Sequence, residues 1–417
     1  MLTAEQNELF TQIGPNTPMG ELFRRYWLPV AAVSEMADAP TKAVRILGED
    51  LVLFKDINGK FGLIEGVCPH RGASLLYGIP EEDSLRCPYH GWCFNGKGEC
   101  LEQPAEPPQS TFKAKIKLKG YPVQELGGLL FAYLGPEPAP LLPRFDLFVM
   151  ENAYRTIGIT HLPVNWLQCM ENSFDATHVE WLHGKYSDYA NNLPEQNKSV
   201  FSKKHVKIAF DLFDYGIIKR RLLEGQTEDA DDWKVGHPVL FPHILKIGVQ
   251  NLYSQFQMRI PVDDENTLIY WYTAYHSPGT IVPEQEMIPH FEVPYKDEKG
   301  KMYVDSVEHQ DMFVWVTQGK VANRGIEHLG SSDKGVIMYR QVLREEMEKV
   351  QNGVDPLGTV RDEQVNEYIQ LPEEAKSKYY DGVQKKVLLK QATPTYRWLP
   401  EQYKQELLSI FNMEEKA

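Results

Sequence analysis

Basic residues, cysteines and long apolar runs are all scarce in this chain of 417 residues. Lysine and arginine together number 44, against 58 aspartate and glutamate residues, and the formal net charge is −14. This acidic balance argues against nucleic acid or an anionic membrane as the main partner, because both would repel the chain. No apolar run approaches the roughly 18 residues that a membrane-spanning helix needs.

Other absences narrow the function further. Residues 1–10 are polar and lack the apolar stretch of a signal peptide, so we expect a cytoplasmic protein. The sequence has no G-x-G-x-x-G, no P-loop, no plant-type C-x4-C-x2-C and no serine nucleophile elbow. Because no nicotinamide or flavin site is evident, a redox function would need electrons from a separate protein.

The five cysteines are distributed unevenly. Four of them lie between Cys68 and Cys100, and the fifth is Cys169. An odd number, mostly in one short stretch of a long chain, argues against a disulfide framework. We therefore expect metal binding at some of these positions, and core packing at Cys93 and Cys169.

The length allows two domains, and the residue patterns divide the chain in three. Residues 1–35 are predicted to be a helical segment that packs with the second domain. Residues 36–140 alternate apolar and polar positions, with a hairpin turn at Asn58-Gly59, and predict a small all-β module. The proline-rich stretch 135–143 marks the boundary.

Residues 145–417 predict a larger α+β domain. Helices are expected at 165–182, 305–318 and 335–351, and several antiparallel strands are expected between residues 200 and 280.

The first chemical motif joins two short segments, Cys68-Pro69-His70 and Cys87-Pro88-Tyr89-His90, in the pattern C-x-H-x16-C-x2-H. Two metal groups fit these four side chains. Tetrahedral zinc accepts two cysteines and two histidines, but its sites favour pairs of one residue type. A Rieske [2Fe–2S] cluster has two cysteines on one iron and two histidines on the other, which suits the mixed pairs seen here.

The two segments, extended through Arg71-Gly72-Ala73 and Gly91-Trp92, closely resemble the cluster-binding signature of Rieske proteins. The resemblance implies that Cys68 and Cys87 hold the inner iron, and that His70 and His90 hold the outer, more exposed one. A zinc-stabilised binding protein and a pure electron-transfer protein stay open as alternatives.

The second motif is Asp175-x2-His178-x4-His183. Two histidines and one carboxylate form the ligand set of non-haem Fe(II) oxygenases. Histidines on a helix are often merely structural, and only the Rieske motif in the same chain favours iron here. Residues five apart on a regular α-helix are about 140° out of phase. We therefore predict a bulge or a helix end between His178 and His183.

Whole-chain similarity extends the resemblance to Rieske non-haem iron oxygenases of the phthalate-dioxygenase group. It is carried by the opening residues 1–9, by residues 18–22 and by residues 324–333. The implied fold is α+β: an all-β Rieske domain, residues 36–140, and a helix-grip catalytic domain with a large antiparallel sheet, residues 145–417. The implied cofactors are a [2Fe–2S] cluster and mononuclear Fe(II).

The resemblance also implies a reaction and partners. The chain would be the oxygenase component that uses O₂ to hydroxylate, or to O- or N-demethylate, a small aromatic substrate bearing a carboxylate. Electrons would come from a separate NAD(P)H-dependent reductase, directly or through a ferredoxin. Relatives are homotrimers or pairs of trimers.

Several site residues follow only from the resemblance. Asp311 is expected to be the third iron ligand, with Asp305 and Glu308 as alternatives on the same helix. Asp175 is expected to bridge His178 and the cluster histidine His90 of a neighbouring subunit, although a role within one chain needs no neighbour.

Two further positions are less constrained. Asn172 matches a position near the iron. Arg220 and Arg221 lie in a predicted strand where aromatic-acid relatives bind a carboxylate, and strand alternation would turn one of them inward. The alternative is two exposed basic residues on an edge strand.

Overall fold

The computed structural model describes residues 1–192, 199–249, 251–373 and 394–412. The chain opens with helices α1 (Ala4–Thr11) and α2 (Pro18–Phe23). Thr17 caps α2 by accepting from the Gly20 amide, and Pro18 occupies the first turn, as the sequence predicts. The helical prediction for residues 1–35 is wrong beyond this point, because Trp27–Ala32 is a fully buried strand, β1. Its residues join the main hydrophobic core, where Leu28, Val30 and Ala31 are almost completely buried.

The N-terminal module is built from short antiparallel strands in three small sheets. Their orders are β1-β11-β10, β2-β3-β4-β9 and β5-β6-β7-β8. The strands are β2 (Thr41–Ile46), β3 (Glu49–Lys55), β4 (Phe61–Glu65), β5 (Ile79–Glu81), β6 (Ser84–Arg86), β7 (Cys93–Asn95), β8 (Cys100–Glu102), β9 (Gly120–Tyr121), β10 (Val123–Leu126) and β11 (Leu129–Tyr133). The predicted turn at Asn58-Gly59 is confirmed between β3 and β4, with Gly59 at φ 84°.

One sheet of eight strands dominates the second domain, in the order β13-β14-β15-β16-β17-β18-β12-β19. Neighbours are antiparallel except β12 and β19, which are parallel. The strands are β12 (Tyr154–Leu162), β13 (His205–Phe213), β14 (Gly216–Leu223), β15 (His237–Leu240), β16 (Ile244–Val249), β17 (Tyr253–Asp263), β18 (Asn266–Tyr275) and β19 (His290–Glu292). The expected α+β class with a large antiparallel sheet is therefore confirmed.

Eight α-helices lie in the described part of this domain. They are α3 (Asp146–Val149), α4 (Trp166–Phe174), α5 (Ser187–Ala190), α6 (Asp231–Lys234), α7 (Val307–Thr317), α8 (Lys334–Gln351), α9 (Pro394–Trp398) and α10 (Glu401–Ile410). A π-helix covers Val179–Tyr186. Short 3₁₀ turns lie at Val33–Met36, Leu75–Tyr77, Phe112–Lys115, Val200–Ser202, Ser331–Asp333 and Val365–Glu367.

The helices predicted at 305–318 and 335–351 are confirmed as α7 and α8. The single helix predicted at 165–182 is wrong. Helix α4 ends at Phe174, where Asp175 takes an extended conformation, and the π-helix begins only at Val179. The break sits where the second motif begins.

The two parts of the chain are joined by backbone hydrogen bonds at the end of the long hairpin β17–β18. The amides of Leu47 and Gly48 donate to the carbonyls of Pro261 and Val262, at 3.1 and 2.9 Å. On the opposite side, the Tyr272 hydroxyl donates to the carbonyl of Gly127 at 2.9 Å. The small module is thus held by the sheet itself as well as by side chains.

Within the described ranges, every helix is too short or too polar to traverse a lipid bilayer.

Candidate metal centres

The two motif loops of the small module have the same backbone design. The Cys68 amide donates to the carbonyl of Ala73, and the Gly72 amide returns to the Cys68 carbonyl, at 2.8 and 3.0 Å. In the second loop, Cys87 and Gly91 make the equivalent bonds at the same two distances. Gly72 and Gly91 have φ of 76° and 73°, a conformation that costs glycine little. The loops therefore form a matched pair of tips.

Each tip buries its cysteine and leaves its histidine near the surface. Cys68 and Cys87 are each 2% exposed, whereas His70 is exposed and His90 is half-buried. The two imidazole rings lie 4.5 Å apart, and the His70 ring stacks on Trp92. An inner thiol pair and an outer imidazole pair fit a [2Fe–2S] cluster with two different irons.

Burial raises the pKa of the Cys68 thiol to about 11, and the neighbouring Cys87 adds to the effect. A thiolate there would be costly without a metal to neutralise it, so the protein environment favours a bound cation. Cys93 and Cys169 are buried, at 2% and 0% exposure, as expected for packing thiols.

In the large domain, the π-helix brings the second motif together. It begins directly after His178 and contains His183, which confirms the predicted departure from regular α-helix between them. The wider turn of a π-helix places residues five apart on one face. The ring centroids of His178 and His183 are consequently 5.0 Å apart.

Asp311, on α7, completes a group of three. Its Oδ1 lies 3.2 Å from Nε2 of His183 and 3.7 Å from Nε2 of His178. The three ligand atoms all lie within 4.8 Å of one another, a spacing that one metal ion can bridge. The side chains of His178, His183 and Asp311 are 14%, 4% and 9% exposed. Two imidazoles and a carboxylate at this spacing would hold a non-haem iron and leave other positions free for O₂ and substrate.

The alternatives for the carboxylate ligand lie outside this group. Asp305 is bound to Nδ1 of His309 at 2.9 Å, and Glu308 is completely buried on the same helix. Among the described residues, only Asp311 joins the two histidines in a potential metal site.

Neighbouring polar side chains hold the group in place. The Asn172 amide donates to Oδ1 of Asp311 at 3.1 Å. The Asp175 carboxylate lies 3.5 Å from Nδ1 of His178 and accepts from the backbone and hydroxyl of Thr177. Gln310, which the sequence did not single out, lies 2.9 Å from Nδ1 of His183. Its position in the sequence, next to the expected ligand Asp311, is the feature that could have pointed to it.

The charges at this site keep its carboxylates ionised. Burial alone would raise the pKa of Asp311, but His183, His178 and Arg259 outweigh it and lower the pKa. Arg259 is itself completely buried, with its guanidinium 5.5 Å from the Trp315 ring. Burial likewise opposes ionisation of Asp175, whose pKa is nevertheless lowered, chiefly by His178.

Arg220 and Arg221 face opposite sides of β14, as strand alternation predicts. The Arg221 side chain is 7% exposed and lies 3.1 Å from Asp232 and 2.7 Å from Nε2 of His237. The Arg220 side chain is 22% exposed and pairs with Asp211. The alternative of two exposed residues on an edge strand is wrong, because β14 lies between β13 and β15.

A charged cluster surrounds Arg221 on the inner face of the sheet. Lys219 and His237 are each 5% exposed, and they lie opposite each other on the neighbouring strands β14 and β15. His205, on the edge strand β13, has its pKa lowered to about 4, first by burial and then by Arg221. Lys219 and Arg221 therefore place two buried cations inside this end of the sheet, with Asp232 beside them.

Family models match an N-terminal and a C-terminal part of the chain. Residues 26–122 match the Rieske [2Fe-2S] domain, and residues 298–399 match the LigXa C-terminal domain like family. The first range contains all four residues of the cluster motif, and the second contains Asp311.

Curated relatives match most of the chain. It is 42% identical to the 5,5'-dehydrodivanillate O-demethylase oxygenase subunit of Sphingobium sp. strain SYK-6, over 89% of this chain and 87% of the relative. It is 34% identical to the phenoxybenzoate dioxygenase subunit alpha of Ectopseudomonas oleovorans, over 83% of this chain and 86% of that relative. It is 30% identical to the phthalate 4,5-dioxygenase oxygenase subunit of Pseudomonas putida, over 86% of this chain and 89% of that relative.

Solved structures share the fold at lower identity. NdmA of Pseudomonas putida CBB5 superposes with a TM-score of 0.58 at 21% identity, over 80% of this chain and 93% of that one. The terminal oxygenase of carbazole 1,9a-dioxygenase from Novosphingobium sp. KA1 superposes with a TM-score of 0.56 at 21% identity, over 84% of this chain and 100% of that one. The chain therefore belongs to the Rieske non-haem iron oxygenases, as an oxygenase (alpha) component whose cofactors are a [2Fe–2S] cluster and a mononuclear iron and which receives electrons from a separate protein.

Proposed function

We propose that this oxygenase component hydroxylates or O-demethylates a small aromatic carboxylate, at an iron held by His178, His183 and Asp311. One observation carries the proposal: three side chains of this ligand type, two of them buried, converge in the same chain as the Rieske loops. An electron-transfer protein alone would have no use for them. We assign cluster binding to residues 36–140 together with strand β1, and catalysis to residues 145–417, with helices α1 and α2 packed on the latter.

The iron would supply O₂ activation, driven by electrons delivered through the cluster. The chain's own residues arrange the site around it. Asn172 directs one Asp311 oxygen through its 3.1 Å hydrogen bond, and Asp175 holds the His178 ring from the side away from Asp311. The near-complete burial of His183 and Asp311 limits water at the reacting centre, which protects reactive species from side reactions.

Arg221 is the residue that we assign to the substrate carboxylate. It is a buried cation on the inner face of the sheet, in a cluster that also contains Lys219 and His237. A guanidinium binds a carboxylate through two parallel hydrogen bonds, and the neighbouring Lys219 supplies a second buried cation to balance a substrate carboxylate beside Asp232. The names of relatives include phenoxybenzoate and phthalate, which are aromatic carboxylates. Arg220 is the weaker candidate, because it faces the other way and already pairs with Asp211.

Electron delivery in our proposal crosses between subunits. The imidazoles of His70 and His90 lie at the tip of the small module, near the surface, and the Asp175 side chain beside His178 is 28% exposed. A ring-shaped homotrimer, or a pair of trimers, would bring His90 of one chain to Asp175 of the next. The first electron donor would be an NAD(P)H-dependent reductase, acting directly or through a ferredoxin.

Ring hydroxylation and demethylation are separated by their products. Purified enzyme, a surrogate reductase and NADH would be mixed in air with aromatic carboxylates that carry, or lack, a methoxy group. O₂ uptake with formaldehyde release identifies O-demethylation, and O₂ uptake with a hydroxylated ring identifies ring attack. The relative named as an O-demethylase favours the first outcome. Enzyme with a reducible cluster that consumes no O₂ with any of these acids would refute the substrate class.

A further inference from the structure

Gln310 makes two hydrogen bonds in the wall of the proposed iron site. The residue is 1% exposed and directly precedes Asp311 on α7. Its amide nitrogen donates to the carbonyl of Val304 at 3.0 Å, and its amide oxygen lies 2.9 Å from Nδ1 of His183. The side chain therefore links an iron-ligand histidine to fixed backbone.

These two bonds determine the proton position on His183. The Val304 carbonyl can only accept, so the NH₂ end of the Gln310 amide must face it. The amide oxygen then faces the ring, and Nδ1 of His183 must be the donor. When a metal is bound, the ring is neutral and carries its single proton on Nδ1, which leaves the lone pair of Nε2 for the metal. That nitrogen is the one 3.2 Å from Oδ1 of Asp311.

His178 is held differently. Its Nδ1 faces a carboxylate, Asp175, at 3.5 Å, whereas Nδ1 of His183 faces a neutral amide. A carboxylate partner adds negative charge near the metal, and an amide fixes orientation without adding charge. The two imidazole ligands are therefore oriented by partners of different charge.

We propose that Gln310 is a positioning residue that locks His183 in the Nδ1-protonated form, with Nε2 turned toward the metal. The inference rests on the proposed iron site. Partners of this kind typically contribute a factor of about 10 to 100 to metal affinity, because a ligand ring left free to rotate or to change tautomer must be ordered again at binding.

The test is an anaerobic titration of iron-depleted enzyme with Fe(II) in competition with a chromophoric chelator. Gln310→Met keeps the size of the side chain but removes both hydrogen bonds, and Gln310→Asn keeps the amide but is one methylene too short to reach both partners. Each should raise the dissociation constant about 10- to 100-fold. Gln310→Glu, protonated in this buried position, can still donate to Val304 and accept from His183, and should recover most of the affinity.

Gln168 offers a matched control. It is also 1% exposed, and its amide nitrogen donates to the carbonyls of Trp315 and Gly319, each at 2.8 Å, without touching a ligand histidine. Gln168→Met should lose stability but bind Fe(II) within about twofold of the wild type. Thermal unfolding followed by far-UV circular dichroism reports folding of the large domain for every variant, and the visible absorbance of the cluster reports an intact small module.

His183→Ala separates the two possible failures. If His183→Ala loses Fe(II) while both Gln310→Met and Gln310→Asn bind as tightly as Gln168→Met, the positioning role is wrong and the iron site stands. If His183→Ala itself keeps full affinity, the iron site is wrong and the role of Gln310 falls with it.

Discussion

His178 and His183 lie five positions apart in the chain, yet their ring centroids are only 5.0 Å apart and each ring turns its Nε2 toward the same oxygen of Asp311. The π-helix that starts at Val179 makes this possible, because a regular α-helix would point the two rings in different directions. The irregular helix thus brings both histidine rings to the same carboxylate.

The first prediction concerns the iron ligands. Asp311→Asn and His183→Ala should each lower the iron content by one atom per chain, while acid-labile sulfide and the cluster absorbance stay unchanged. The reason is that the two metal groups occupy separate parts of the fold. Metal and sulfide analysis of purified protein measures this. His309→Ala serves as the control, since His309 lies on the same helix but is bound to Asp305. Loss of sulfide in the Asp311 variant would contradict the separation.

The second prediction separates electron delivery from metal binding. Asp175→Asn should retain cluster and iron but lower turnover about 10- to 100-fold, because the amide cannot replace a carboxylate facing His178. Reduction of the cluster by dithionite should be unaffected, whereas its reoxidation by O₂ and substrate should slow. Asp305→Asn is the matched control, an aspartate that contacts a histidine outside the site. A variant with wild-type reoxidation kinetics would exclude this role for Asp175.

Much of the site could be read from the sequence, because short motifs carried it. The cluster residues lie in two local segments, and the geometric conflict between His178 and His183 itself predicted an irregular helix. Asp311 was found through the resemblance of the chain to Rieske oxygenases. Gln310 could not be found in this way, since a glutamine in a buried helix has no chemical signature until its two partners are known.

The fold was less accessible where tertiary pairing overrides local pattern. The pattern of residues 1–35 predicts a helical segment, but Trp27–Ala32 pairs as a strand with Leu129–Tyr133, a hundred residues later. The helix expected to run to Leu182 stops at Phe174, because Asp175 turns its carboxylate to the Thr177 amide instead of continuing the helix. The strand pairing is not visible in a window of neighbouring residues, whereas the turn at Asp175 is local but competes with a helical pattern on both sides of it.

The third prediction tests the substrate carboxylate. Arg221→Met should raise KM for an aromatic acid more than 10-fold, since a charge-assisted pair contributes about 2 to 5 kcal/mol. Arg220→Met, its neighbour on the other face of the strand, should leave KM within about twofold. Steady-state kinetics with the acid and with its methyl ester provide the measurement. If Arg221→Met lowers thermal stability but leaves KM unchanged, Arg221 serves only its ion pair with Asp232.

The fourth prediction concerns acid stability. Glu171, on α4, accepts from Arg324 at 2.7 Å and from Arg340 at 2.6 Å. Burial would raise its pKa, but the two arginines outweigh burial and lower it. A lowered pKa stabilises the fold above the ordinary glutamate value of about 4.3, and that stability is lost as the pH falls through the lower folded value.

Glu171→Gln should therefore cost about 3 to 5 kcal/mol at pH 7, because two largely buried arginines lose a charged partner. The difference from wild type should shrink as the pH falls below about 4. Urea unfolding across this range measures both effects. Glu265→Gln is the control, because its pair with Lys320 is exposed to solvent and contributes little to stability. A cost that stays constant with pH would show that charge is not its origin.

The last prediction concerns the support of the π-helix. A Cβ added at Gly184 would lie 2.7 Å from the backbone of Ser202 and 2.9 Å from that of Phe201. Backbone cannot yield as a flexible side chain can, so Gly184→Ala should push the π-helix away from the Val200–Ser202 turn and displace the adjacent His183. We expect weaker iron binding with an intact cluster, measured by Fe(II) titration and by visible absorbance. Gly14→Ala, where a Cβ meets nothing within 4 Å, is the control. If Gly184→Ala binds iron as tightly as Gly14→Ala, the position of His183 does not depend on this contact.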